Sequence, residues 1–282
     1  MSIARAHEGT DLRQELGKVL GFLHRDLLVT LSYRTGLISD WVNLAAQVVI
    51  FAYVSKLINP SALPTYGGNE ASYVSFVAIG IAVSGFMQVG IGRLMTAVRA
   101  EQLMGTLESL LVTPTHSTTL LLGSVAYDLV YVPIRTFVFL GLVAVVLGVN
   151  FATGGMLPAL LILAVFIPFV WGLGAMTAAT VLTFRRGAGA VGVATFALTV
   201  TSGAYFPVDL FPSWVATLAM LNPLTIALEG MRNCLLGGEG WSEALKVSAI
   251  LLPFTVASLI GGAAAFRGAM RRERRLGSLG IY

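Results

Sequence analysis

Val98–Pro114 reads VRAEQLMGTLESLLVTP, and the rest of the chain falls into place around it. It is the longest charged and polar interruption between two strongly apolar segments. Arg93 and Arg99 stand at its start, and Pro114 closes it because proline cannot continue a helix. Leu103, Leu107, Leu110 and Leu111 recur at helical spacing as one apolar stripe, with Arg99, Glu101 and Glu108 off it. The pattern predicts a short amphipathic helix between two membrane spans. Such a helix rests on the lipid surface, docks into a soluble partner, or sits solvated in its loop, and pattern alone leaves these open.

The membrane reading comes from composition. The chain has 282 residues, 56% hydrophobic and 11% charged, where soluble domains carry about 25% charged residues. Several runs of roughly 20 apolar residues read as transmembrane helices, and the alternating pattern of an outer-membrane barrel is absent. The net charge of +4 sits mostly at the termini and reads as topology, not nucleic-acid binding. Cys234 is alone, so no internal disulfide can form. His7, His24 and His116 are scattered without metal-ligand spacing. Glu8, Asp11, Glu15 and Asp26 argue against a cleaved signal peptide.

From the N-terminus, Thr10–Tyr33 places Leu12, Leu16, Val19, Leu20, Leu23 and Leu27 on one face, which predicts an interfacial amphipathic helix. Six spans follow: about Gly36–Leu57, Tyr73–Met95, Ser117–Gly148, Leu157–Thr183, Ala188–Phe206 and Ala244–Phe266. Asp40 is expected close enough to the cytoplasmic end of the first span to reach water. Gly80, Gly85, Gly90 and Gly92 are candidate close-packing positions in the second. Pro168 is expected to kink the fourth. Gly187, Gly189 and Gly192 spell a dinucleotide fingerprint, but without a preceding strand they read as helix contacts. Phe206–Trp241 carries Pro207, Pro212 and Pro223; Ser213–Leu221 and Leu224–Leu235 are too short to span and read as paired half-helices.

Arginine and lysine set the orientation. The N-terminal arm, the second-to-third and fourth-to-fifth loops and the tail together hold fourteen, against Lys56, Arg232 and Lys246 on the other side. Both termini and Val98–Pro114 are therefore expected in the cytoplasm. Within the third span, Asp128 and Arg135 are two turns apart on one face, so Arg135 can lean back toward Asp128. With Tyr131 they either line the conduction route or make structural pairs with other spans, the latter being favoured. Glu229 and Arg232, three apart, are expected to tie down the outer half-helix and to be candidates for shaping the exit. No phosphate loop, HExxH, CxxC or GxSxG occurs, so neither ATP binding by this chain nor hydrolase or metal chemistry has support.

Two stretches carry a family resemblance. GTLESLLVTP followed by an apolar span resembles the cytoplasmic loop of ABC-2 type transporter permeases. FPVDLFPSWVATLAMLNPLTIALEGMR, with Pro207, Pro212, Trp214, Asn222-Pro223, Glu229 and Arg232, is similar to that family's last extracellular segment. The resemblance implies an all-α polytopic membrane protein of the type V exporter kind. Residues 1–35 would be a cytoplasmic arm, 36–266 the transmembrane domain with a coupling helix at 98–114 and a re-entrant segment at 206–241, and 267–282 a basic cytoplasmic tail. It implies a permease subunit in the cell membrane, paired with an identical or homologous half. Two copies of a partner ATPase would bind ATP and Mg, with no cofactor on this chain. Glu101, Gly105, Thr106, Glu108 and Pro114 become coupling candidates, and Pro207, Asn222, Pro223, Glu229 and Arg232 an external gate. Few polar residues in the spans favour an amphipathic or lipophilic cargo: drug, lipid or glycolipid. A lipid-linked polysaccharide is the alternative. A motor-free secondary transporter would need midplane carboxylates or inverted repeats, and only Asp128 and no convincing repeat are found.

Overall fold

The computed structural model describes residues 34–57, 64–70, 72–103, 117–184 and 188–276, with isolated positions between 17 and 32. Among the described residues, eight continuous helices organise it: α1 (Arg34–Val54), α2 (Tyr73–Leu103), α3 (Ser117–Leu147), α4 (Met156–Phe184), α5 (Ala188–Thr201), α6 (Ser213–Met220), α7 (Pro223–Leu235) and α8 (Trp241–Leu276). Five are long and apolar enough to cross a membrane, and α6 with α7, bent by 80°, makes a broken span or re-entrant loop. The chain is thus an all-α polytopic membrane protein. The described positions of the N-terminal arm are helical, with Leu20, Leu27 and Leu28 exposed.

The centre of the bundle is α4, which packs on α8 and α2. Small residues let these helices approach. A side chain on Gly172 would strike the Ser258 backbone, and one on Gly262 would strike the Gly172 carbonyl. With no hydrophobic force between helices in lipid, such close packing and hydrogen bonds hold the pair. Ser258 donates to the Phe169 carbonyl and Thr255 to the Val165 carbonyl, each at 3.1 Å. Both acceptors flank Pro168, which lies inside an unbroken helix. Hydroxyls from a neighbouring helix are one way a spanning helix accommodates proline. Toward the arginine-rich end, Leu94, Ala178, Leu182, Phe266 and Met270 close the bundle.

Three expectations change. The fifth span stops at Thr201, not Phe206. At about 1.5 Å per residue its length is roughly 21 Å, short of a hydrocarbon core of about 30 Å. The chain then turns through Gly203, whose φ of 77° suits glycine. Second, α2 runs without interruption to Leu103, so the start of Val98–Pro114 extends a spanning helix instead of opening a separate one. Third, among the positions expected to pack closely, Gly80 meets the Ala204 carbonyl and Gly90 meets Val170, while Gly92, Gly189 and Gly192 face open space. The loop between α1 and α2 holds a hairpin, Thr65–Tyr66 paired with Asn69–Glu70. Gly67 and Gly68 turn it, both at positive φ, as tight two-residue hairpins require.

Candidate functional site

Two charged knots and a groove stand out. The deeper knot joins α1 to α3. Arg135 Nε donates to Asp40 Oδ2 at 2.6 Å and Arg135 Nη2 to Asp40 Oδ1 at 2.8 Å. This two-point fork is the geometry guanidinium and carboxylate favour. The Tyr131 hydroxyl donates to Asp40 Oδ2 at 3.4 Å, and Tyr127 stacks on Tyr131 with centroids 5.1 Å apart. Arg135 lies against Gly85 of α2, where a side chain would come within 4.0 Å of Nη2. Gly85 is roughly 18 Å down α2 from Tyr73.

Asp40 stands six residues, about 9 Å, from the first residue of α1, with 30% of its side chain exposed. One reading is overturned: Arg135 is clasped by Asp40 on another helix instead of leaning back to Asp128. The physical reason is geometric: a facing helix lets both carboxylate oxygens meet the fork, and two opposite charges at depth neutralise each other. Asp128 is buried two turns away on α3. The pairing with another span, favoured from sequence for Arg135, is the one observed.

The outer knot is built on Arg232, fully buried on α7. Its Nη1 donates to Glu229 Oε1 at 2.8 Å. Its Nη2 donates to the carbonyls of Gly203 at 2.9 Å, Phe76 at 3.2 Å and Ala204 at 3.3 Å. The guanidinium lies 3.5 Å over the Phe76 ring, a cation–π contact. Gly203 and Ala204 form the turn after α5. Arg232 thus supplies the donors that this irregular backbone would otherwise lack, where lipid offers none. Glu229 is 40% exposed and accepts from the Tyr66 hydroxyl at 3.0 Å, which fastens the hairpin to the knot. Burial pushes the Tyr66 phenol well above its ordinary range, with Arg232 opposing and Glu229 adding to the rise.

Asn222 caps α7. Its Oδ1 accepts from Leu224 N at 3.0 Å, its Nδ2 donates to the Leu198 carbonyl at 2.9 Å, and Pro223 takes the first helical position. That is the residue order helix starts prefer. Pro207 precedes a one-turn 3-10 helix, Val208–Leu210. Between α2 and α5 lies a groove of about 180 Å³ lined by Gln88, Ile91, Met95, Gly192, Thr195 and Phe196, among others. Glu101 falls in the last turn of α2, and Gly105, Thr106, Glu108 and Pro114 lie outside the described residues.

Sequence reasoning missed three members of the knots. Tyr66 was recoverable, because a Gly67-Gly68 pair is by itself a two-residue hairpin signal. Asp40 and Phe76 enter through contacts across 95 and 156 residues, which no local pattern encodes.

Long apolar helices, a broken outer span and neutralised charges at depth define a multi-pass helical membrane protein whose spans are built around buried polar joints. The ABC-2 type transporter family model matches residues 22–236, and the chain belongs to that family. It is 25% identical over 225 residues to the "Probable doxorubicin resistance ABC transporter permease protein DrrC" of Mycobacterium tuberculosis, covering 77% of this chain and 79% of that one. It is 27% identical over 120 residues to the linearmycin resistance permease protein LnrN of Bacillus subtilis, covering 43% of this chain and 31% of that one.

Proposed function

We propose that this chain is the transmembrane permease subunit of an ATP-driven exporter that carries an amphipathic or lipophilic drug out of the cell. Carrying this reading is the family match over residues 22–236 of a sequence with no phosphate loop of its own. The energy then comes from a separate ATPase, two copies binding ATP and Mg, and a second permease half completes the route. Both termini lie in the cytoplasm of a cell-membrane protein. Resistance to doxorubicin and linearmycin in the names of its relatives supports a drug as cargo over a lipid or glycolipid. The groove between α2 and α5 supports the same choice, since its lining is apolar with one amide and one hydroxyl. Its volume of about 180 Å³ is below the roughly 300–1,000 Å³ of drug-sized pockets. One chain would supply part of a site and its partner half the rest.

In this reading Glu101, Gly105, Thr106, Glu108 and Pro114 take the push from the ATPase. Asp40, Tyr131 and Arg135 keep α1 and α3 together while neighbouring helices move, and Asp128 lies beside the route. Pro207, Asn222, Pro223, Glu229 and Arg232 hold the outer gate. The test is ATP-driven uptake of a fluorescent anthracycline into inverted vesicles holding the chain with its ATPase. Single cysteines from position 101 to 110 should crosslink to the ATPase. Uptake driven by an ion gradient with no ATPase present would refute the proposal.

A further inference from the structure

We infer that the arginine row at the end of α8 is a binding site for the phosphate headgroups of anionic phospholipids. Between Lys246 and Arg267 the helix carries no charged residue. At about 1.5 Å per residue that interval is roughly 30 Å, the thickness of the hydrocarbon core. Lys246 and Arg267 therefore mark its two boundaries. Arg271 and Arg272 lie about 6–8 Å beyond Arg267, and Arg275 about 12 Å beyond. A headgroup layer is roughly 5–8 Å deep, so the first three sit within it, while the Arg275 backbone lies about 4–7 Å past its outer edge, within reach of a long side chain.

All four are exposed. Phe266, Ala269 and Met270 take the buried face against α4 and Leu94 of α2. Arg267, Arg271 and Arg275 are four apart and share a different face, with Arg272 beside it. Arg267 Nε donates to the Ala263 carbonyl at 3.0 Å, laying the side chain back along the helix toward the core boundary. Among the described residues, no carboxylate pairs with any of the four. Complementing the helix C-terminus would use only the last turn, and Arg267 stands more than two turns earlier. An acidic protein surface would have to reach down to the core boundary to meet Arg267, a depth where lipid phosphate is already present. This inference needs only a membrane-spanning chain and stands apart from the export reading.

The test reconstitutes the full chain in phosphatidylcholine vesicles with spin-labelled phosphatidylglycerol or spin-labelled phosphatidylcholine, and measures how much of each label is immobilised. Wild type should hold phosphatidylglycerol in preference, by up to about fivefold per arginine at low salt, less at high salt. The combined Arg267→Gln, Arg271→Gln and Arg275→Gln variant should lose most of that preference, and the matching lysine variant should keep it. Equal immobilisation of both lipids by wild type would overturn the inference. So would an unchanged preference in the glutamine variant, whether or not that variant lost a protein partner. A lysine variant as impaired as the glutamine one would overturn it too, because charge is then not what holds the lipid.

Discussion

Replacing Arg232 with methionine keeps the length and apolar stem of the side chain and removes every donor of the guanidinium. The carbonyls of Phe76, Gly203 and Ala204 lose the nitrogen they share. The Phe76 carbonyl keeps its helical N–H partner within α2. A buried polar group without a partner costs about 1–3 kcal/mol, so the two turn carbonyls of Gly203 and Ala204 cost about 2 kcal/mol even at the low end. Glu229 adds little, since at 40% exposure it can turn to water. Cys234, the only cysteine in the chain and fully buried, lies two positions along α7 and provides the assay. A thiol-reactive dye in detergent will fluoresce as α7 opens. At roughly 2–4 °C per kcal/mol, Arg232→Met should melt about 4–8 °C below wild type at a fixed heating rate. Arg232→Lys should fall between them, because an ammonium cannot fork to Glu229 and three carbonyls at once. A methionine variant within about 2 °C of wild type would refute the idea that this one side chain holds the broken end of α5.

Asp40→Ala should cost up to about 3–5 kcal/mol by stranding the Arg135 charge at depth, with 30% exposure of Asp40 trimming the loss. Asp40→Ala with Arg135→Met should recover part of it in the same melting assay. Gly172→Val should lower the melting point and yield, since a side chain there strikes the Ser258 backbone, whereas Gly141→Ala, facing open space, should leave both unchanged. Burial raises the Tyr66 phenol above its ordinary value of 10.0. The fold therefore favours the neutral form, and this contribution is complete below that value and lost as pH rises past it. Tyr66→Phe should melt slightly lower than wild type at neutral pH, by the worth of one hydrogen bond to a carboxylate. It should also lose stability less steeply in alkaline buffer. Parallel pH curves for the two proteins would contradict the buried hydrogen bond to Glu229.

The chain's own residues determined the membrane as its solvent, because charge is too scarce and apolar runs too long for water. They also determined the helix starts at Tyr73 and Ser213, and the break at Asn222-Pro223, each marked by proline, polar residues or a change in hydropathy. The end of α5 was not legible, since Thr201–Phe206 is apolar enough to continue a span. Only the assembled bundle shows that Gly80 makes room for the Ala204 carbonyl and that Arg232 supplies its donor. The partner of Arg135 was equally hidden. Helical periodicity places Asp128 on the same face, but it cannot say that Asp40 faces the guanidinium from another helix. Local pattern fixes which residues are apolar and where a helix can begin. Which charges meet depends on helix-to-helix depth and rotation, and those are set by close packing at glycines such as Gly80, Gly90 and Gly172.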